Sequence, residues 1–218
     1  MKIALLFVCL LSILFSCRQA EFEFSCDPVI NAYVLENREK LLKMPVTEFA
    51  DFDLPLQKAV YNSWDPQKKR DVWIGKIKHV LSSGFFSDEE RSHLQKLIDH
   101  IGTDYFVEVK IEENQADRYL FENEWVSYAT GKLGWSDYYV AFLVYRLYTD
   151  PYQFNDELSM LEGLARNISV NPESGSCACN TSSDYCGAYN CTFNGCSTTS
   201  GCGWLWTAQC NEVCEDPS

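Results

Sequence analysis

The sequence predicts a mainly α fold, in which a helical N-terminal domain is followed by a small disulfide-rich C-terminal module. Helix start and stop signals recur between residues 27 and 170. Cysteine is absent from Asp27 through Ser176, whereas eight cysteines follow from Cys177 to Cys214. The predicted organisation is a signal peptide at 1–17, a helical domain at 18–170, a linker at 171–176 and the module at 177–218.

Proline and acidic residues mark the beginnings of the first predicted helices. Asp27-Pro28 combines an N-cap with a first-turn proline, and Pro45 closes the helix that follows. Asp65-Pro66 repeats the signal for a helix that breaks at Ser83-Gly84. Ser87 to Glu90 reads as a capping box. These signals predict three helices with buried apolar faces.

The second half of the helical region predicts three more helices, at 114–132, 136–148 and 155–167. Between them and the capping-box helix, Tyr105 to Ile111 alternates apolar and charged residues, which predicts a short strand. Four tryptophans are expected to pack a helical core, namely Trp64, Trp73, Trp125 and Trp135.

The N-terminus carries an export signal. Met1-Lys2 precedes an almost unbroken apolar run from Ile3 to Phe15, which has the length of a signal-peptide core and is too short to span a bilayer. Ser16-Cys17 at its end resembles the lipobox of bacterial lipoproteins. The resemblance implies lipid attachment at Cys17, an anchor in the cell's own membrane and a place in the bacterial envelope. The alternative is an ordinary secretory signal cut after Ala20.

Composition argues against several classes of function. The net charge of −13 repels phosphate backbones, so no nucleic-acid partner is expected. The sequence contains no glycine-rich phosphate loop, nucleophile elbow or zinc-binding helix motif. His79, His93 and His100 are expected to be ordinary surface histidines. The sequence therefore predicts no catalytic residue, metal or cofactor, and an enzyme in the helical part is the weakest of the functional hypotheses.

The C-terminal module is too poor in aliphatic residues to fold without cross-links. Four disulfides are expected, with the pairing left open. The alternative is metal binding, which export disfavours. Cys26 is then left over from these four disulfides. It is a free thiol, it pairs with a second chain, or it changes the pairing of the module cysteines. The expected disulfide cysteines are Cys177, Cys179, Cys186, Cys191, Cys196, Cys202, Cys210 and Cys214.

The run CACNTSSDYC at 177–186, the Gly-Cys-Gly at 201–203 with tryptophan nearby, and the closing Cys-x3-Cys resemble fulvocin C and the longer exported proteins related to it. This resemblance implies a bacteriocin-like antibacterial precursor. Its module would act on a target-cell envelope or receptor protein after a processing protease cuts near 171–176. The alternative is a non-toxic envelope lipoprotein, whose stapled module is a binding or structural head.

The module has many large apolar side chains for its size, so some are expected to be exposed and to contact the target. The segment 204–206 is the strongest candidate, although one of its tryptophans could instead fill the module's own core. No lysine or arginine follows Arg166, so attraction to anionic lipid is not available and a receptor or apolar insertion is required. The expected contact residues are Tyr185, Tyr189, Phe193, Trp204, Leu205 and Trp206.

Overall fold

The structure is a computed structural model that describes residues 24–83, 86–102, 104–147, 159, 178–179, 190–193, 197–198, 200–210 and 212–215. Over these residues the chain is mainly helical, as the sequence predicts, and it also has two small sheets near the C-terminus. The helices are α1 Pro28–Lys43, α2 Val46–Phe49, α3 Leu54–Ser63, α4 Pro66–Ser83, α5 Asp88–His100, α6 Glu108–Glu113, α7 Gln115–Gly131 and α8 Asp137–Val144.

Side-chain caps fix the helix starts that the sequence predicts. The Asp27 carboxylate accepts from the backbone N–H groups of Val29 at 2.7 Å and Ile30 at 3.1 Å, and so begins α1. Asp65 accepts from the N–H of Lys68 at 2.8 Å at the start of α4. At α5, the capping box is present in both directions. These bonds satisfy N–H groups that have no partner within the helix.

Two local predictions need correction. Tyr105 to Ile111 is not a strand, because α6 begins at Glu108 and runs to Glu113. Its alternation was too short to establish a strand, and no neighbouring strand is described there for it to pair with. Helix α3 was not predicted, although Asp53 and Pro55 repeat the signal seen at α1. The predicted helix at 155–167 lies outside the described residues, apart from Ser159, which is helical.

The C-terminal strands form two small antiparallel sheets. One has the order β1-β5-β2, from Ala178–Cys179, Glu212–Glu215 and Asn190–Phe193, and its register places Cys191 opposite Cys214. The other pairs β3, Gly201–Cys202, with β4, Ala208–Gln209. A single short turn, Trp204–Trp206, lies between β3 and β4.

One apolar core joins the helices to the β3–β4 hairpin. It contains the four tryptophans predicted to be buried, which are at most 3% exposed, and also the side chains of 204–206. The core of the helical part therefore extends into a segment that the sequence assigns to the separate module. Among the described helices, none is both long and apolar enough to cross a membrane.

His93 is part of this core and not a surface residue as expected. Its ring is 3% exposed and stacks on Trp125 and Tyr128, with centroid distances of 4.5 and 4.9 Å. Nε2 lies 3.1 Å from the carbonyl oxygen of Trp125, which can only accept, so Nε2 carries the proton. The Trp125 indole N–H donates in return to the carbonyl of His93. Burial lowers the pKa of His93 to about 4.

The buried His93 predicts a loss of stability in weak acid. The unfolded chain binds a proton near pH 6.5, whereas the folded chain does so only near pH 4, so stability falls as the pH drops through this window. We expect the free energy of unfolding to fall by about 2 kcal/mol between pH 7 and pH 4.5 through this group. Urea unfolding should show that His93→Phe removes this difference. His79→Phe, at an exposed position, should retain it, and equal pH dependence of both variants would contradict the assignment.

Candidate interaction site: the aromatic loop and its seat

A disulfide closes the loop that carries the candidate contact residues. Cys202 and Cys210 are bonded, with a Cα–Cα distance of 5.1 Å, and we call residues 202–210 the aromatic loop. Both cysteines are buried, with exposures of 0% and 2%. The bridge and the β3–β4 pairing hold the two ends of the loop together, so the turn between them is constrained at both ends.

The turn of the aromatic loop is left-handed. Leu205 has φ 48° and Trp206 has φ 53°, values that L residues seldom adopt and that cost about 1–2 kcal/mol each. Gly201, at φ 105°, and Gly203, at φ 68°, precede it. A Cβ on Gly201 would also lie 3.2 Å from the Asn62 side chain. The two glycines of the Gly-Cys-Gly motif thus allow the positive φ values and the close contact with Asn62 that lead the chain into the turn.

Trp206 is inserted between helices α3 and α4. Its ring meets Tyr61 at 5.2 Å and Trp73 at 6.1 Å, both in edge-to-face geometry. Its indole N–H donates to the carbonyl oxygen of Tyr145 at 3.0 Å. A buried tryptophan with its polar atom satisfied contributes its full apolar area to the core.

Trp204 occupies the neighbouring position against α7. Its ring contacts Trp125 at 5.4 Å and Tyr145 at 6.2 Å. Its indole N–H donates to the Tyr105 hydroxyl at 2.8 Å. The two tryptophans therefore each have aromatic neighbours and one hydrogen-bond acceptor from the helical part.

The backbone of the turn is also bound. Tyr61 donates its hydroxyl to the carbonyl oxygen of Leu205 at 3.1 Å, and receives a bond from the Trp73 indole at 3.2 Å. Complete burial raises the pKa of Tyr61 far above its usual value, so the hydroxyl remains a donor. We call the four aromatic residues that hold the turn the seat: Tyr61, Trp73, Tyr105 and Tyr145.

Two lysines of the helical part contact the hairpin and the residue before it. Lys58 Nζ donates to Cys202 Sγ at 3.4 Å and lies 5.8 Å from the centre of the Trp206 ring. Lys69 Nζ donates to Ser200 Oγ at 3.1 Å, and burial lowers the pKa of Lys69 to about 8. Ser200 in turn donates to Asn62 Oδ1 at 2.5 Å. These polar contacts connect Cys202 of β3, and Ser200 just before β3, to helices α3 and α4.

The predicted contact segment is therefore not on the surface. Trp204, Leu205 and Trp206 are 3%, 0% and 0% exposed, so the expectation that they lie on the surface is wrong, and their contact with a target stays a prediction. The reason for their burial is that the helical part offers an apolar seat, which removes more surface from water than the module could remove alone. Phe193 lies in β2, while Tyr185 and Tyr189 lie outside the described residues.

The cysteine predictions are resolved at three positions. Cys202 and Cys210 form a disulfide, as expected of module cysteines. Cys26 is also disulfide-bonded, which excludes the free thiol among the three alternatives that the sequence leaves open. The pairing of the other module cysteines and the lipid site at Cys17 are not described, so those expectations remain predictions. The described residues contain no cluster of residues suited to hold a metal ion.

Two depressions on the described surface are wide open to solvent. The larger of the two has a volume of about 520 Å³ and the smaller about 330 Å³. Burial raises the pKa of the Glu122 carboxyl group. This group lies within the packed helices, where it accepts a hydrogen bond from the Tyr145 hydroxyl at 2.8 Å. The larger depression is lined by Glu112, Glu113, Gln115, Ala116 and Tyr119.

Comparison of the chain with protein-family models, with curated proteins and with solved structures finds no match. The sequence predicts that Trp73 is buried, but it does not identify Tyr61, Tyr105 and Tyr145 as the other residues of the seat. Tyr61 and Tyr145 belong to unremarkable helical segments, and only their side-chain partners in the fold distinguish them from other core aromatics.

Proposed function

We propose that the chain is an exported, bacteriocin-like antibacterial precursor. Its cysteine-rich C-terminal module, 177–218, which we call the tail, acts on the envelope of competing bacteria. Its helical part stores the aromatic loop until the tail is released. The single observation that supports storage is the burial of Trp204, Leu205 and Trp206, of which none exceeds 3% exposure. Contiguous apolar groups of this kind bind membranes or proteins when they are exposed. The antibacterial activity itself is proposed from the resemblance of the tail to fulvocin C.

Anchoring at Cys17 would place the helical part close to the membrane. Phe24 is 4% exposed, and its backbone is bound by the side chains of Asn31 at 2.9 Å and Asn62 at 3.0 Å. The seven steps from Cys17 to Phe24 span at most about 25 Å when fully extended. An anchored precursor would therefore keep its tail near its own envelope, and killing a neighbour would require release.

Release would need more than a cut in the linker. Cys26 is disulfide-bonded, and the next cysteine along the chain is Cys177. If its partner is a cysteine of the tail, this bond would hold the two parts together after cleavage. The aromatic loop would add a second, non-covalent attachment.

Growth inhibition tests the proposed function. A specific protease site is inserted in 171–176 of the full oxidised chain. Three samples are assayed: the uncut chain, the cut chain, and the tail alone. The tail is obtained by cutting the chain in the presence of a dithiol, separating the two parts and reoxidising the tail. We expect the uncut chain to be inert and the freed, oxidised tail to inhibit neighbouring strains. The same tail with Trp204→Ala and Trp206→Ala is the matched control. A freed parent tail that inhibits no strain contradicts the proposal.

The second candidate is a non-toxic envelope lipoprotein, whose tail is a structural or binding head. The observation that favours it is the shared core, because the β3–β4 hairpin completes the packing of α3 and α4. A chain built in this way needs no release to have a function. This candidate predicts an intact chain in the membrane fraction of cells, with no released fragment and no growth inhibition in the assay above.

A further inference from the structure

The two sulfur atoms of the loop disulfide have different surroundings. Cys202 Sγ lies 3.4 Å from Lys58 Nζ, which donates to it. Cys210 Sγ lies 3.6 Å from the carbonyl oxygen of Ser200, which can only accept. A neighbouring ammonium stabilises a thiolate, whereas a carbonyl oxygen accepts a bond from a thiol. The surroundings therefore suit a thiolate at Cys202 and a thiol at Cys210 once the S–S bond is broken.

We infer that Cys202–Cys210 is a thiol-exchange site for a dithiol reductant, which attacks Cys210 Sγ and displaces Cys202, and that its reduction frees the aromatic loop. The inference goes beyond the proposed function and holds whether or not the tail is antibacterial. It assigns to Lys58 the role of stabilising the leaving sulfur.

The exchange proceeds in two balanced steps. In the first, one thiolate of the dithiol forms a bond to Cys210 Sγ, and the electron pair of the broken S–S bond passes to Cys202 Sγ beside Lys58. In the second step, the remaining thiol of the reductant loses its proton and attacks the other sulfur atom of the same reductant molecule, which is bonded to Cys210 in the mixed disulfide. Cys210 leaves and takes up a proton. The dithiol is oxidised to a disulfide, and the cystine gains two electrons.

The seat controls access to this site. Cys202 and Cys210 are at most 2% exposed, so a reductant reaches Cys210 only when the β4 side of the hairpin opens, while Cys202 keeps its contact with Lys58 on α3. Reduction then removes the covalent closure between the two ends of the loop, so the turn leaves its seat more readily. The loop is thus protected while both strands are in place, and it is released more easily once the bond is reduced.

Cysteine-resolved redox titration of the full oxidised chain tests the role of Lys58. The chain is equilibrated with graded ratios of reduced to oxidised dithiothreitol, quenched, alkylated and digested, and the reduced fraction of Cys202 and Cys210 is read by mass spectrometry. We expect Lys58→Met to require about a tenfold higher ratio at the midpoint, because a charge-assisted hydrogen bond to the thiolate is lost. Lys58→Arg should stay near the parent, as should Lys78→Met on the exposed face of α4.

The direction of attack is tested on the parent chain, and so does not depend on whether a variant folds. A monothiol at limiting concentration forms a mixed disulfide, and mass spectrometry identifies the cysteine that carries it. We expect the adduct on Cys210. An adduct chiefly on Cys202, or equal midpoints for Lys58→Met and Lys78→Met, would overturn the inference. Neither measurement involves growth inhibition, so the inference and the proposed function fail separately.

Discussion

Replacing Trp206 with alanine is expected to lower the free energy of unfolding of the helical core by about 3–5 kcal/mol, because it leaves a cavity where a fully buried indole was. The ring is 0% exposed, and its two edge-to-face contacts are with residues of α3 and α4. For a chain of this size, the melting temperature of the helices should fall by about 10 °C. Thermal unfolding followed by the helical circular-dichroism signal measures the effect.

The matched control for Trp206→Ala is Tyr119→Ala, which removes an aromatic ring that is 62% exposed. This change should alter the free energy of unfolding by no more than about 0.5 kcal/mol. If the two variants melt at the same temperature, the aromatic loop is not part of the helical core. That result would restore the original expectation of an independent tail.

Replacing Glu90 with alanine is expected to destabilise the chain by about 3 kcal/mol, because one carboxylate serves two structural elements. Its Oε2 accepts from the backbone N–H and hydroxyl of Ser87 at 2.8 and 2.9 Å, which closes the capping box. Its Oε1 accepts from the Trp135 indole at 2.9 Å. Alanine would remove half of the capping box and leave the buried indole N–H without this acceptor. Urea unfolding at neutral pH gives the change directly.

Glu90→Gln separates these two contributions. Glutamine keeps one oxygen acceptor and replaces the other with an NH₂ group, so it can serve either the capping box or Trp135 but not both. We expect its loss of stability to be about half that of Glu90→Ala, or about 1–2 kcal/mol. Equal losses for glutamine and alanine would show that the charge matters and not the two acceptor positions.

The helical part of the fold was predictable where local signals decide the structure. The Asp27 cap and the Ser87 capping box work through bonds within three residues, so the sequence alone contains the information. The same holds for the burial of Trp73 and Trp135, which are large apolar groups in helical segments. Local alternation failed at 105–111, because neither the pattern nor its length could distinguish a strand from the short helix α6.

The position of the aromatic loop was not predictable for a different reason. Its contacts join residues that are far apart in sequence, such as Tyr61 with Leu205 and Tyr105 with Trp204. Composition indicated that the tail is too poor in aliphatic residues to bury all of its large apolar side chains. It could not indicate that the helical part provides the missing surface, since nothing in the spacing of Tyr61, Tyr105 and Tyr145 identifies a seat.

Lysine placement illustrates the same limit. The tail has no lysine or arginine of its own, and nothing in the sequence indicates which partners the lysines of α3 and α4 contact. The structure instead turns Lys58 toward a disulfide sulfur and Lys69 toward Ser200. Long side chains can cover apolar surface with their stems while their ammonium groups reach polar partners. These two lysines bring the charge of the helical part to the tail.

Amide and indole hydrogen exchange in the full oxidised chain tests most directly whether the tail is seated in the helical core. The N–H groups of Trp206 and Thr207 are bonded within the turn, and both indoles of the loop donate to groups of the helical part. We predict that these protons exchange as slowly as those of α4, because they become exposed only when the core opens. Fast exchange in the loop beside slow exchange in α4 would contradict the account.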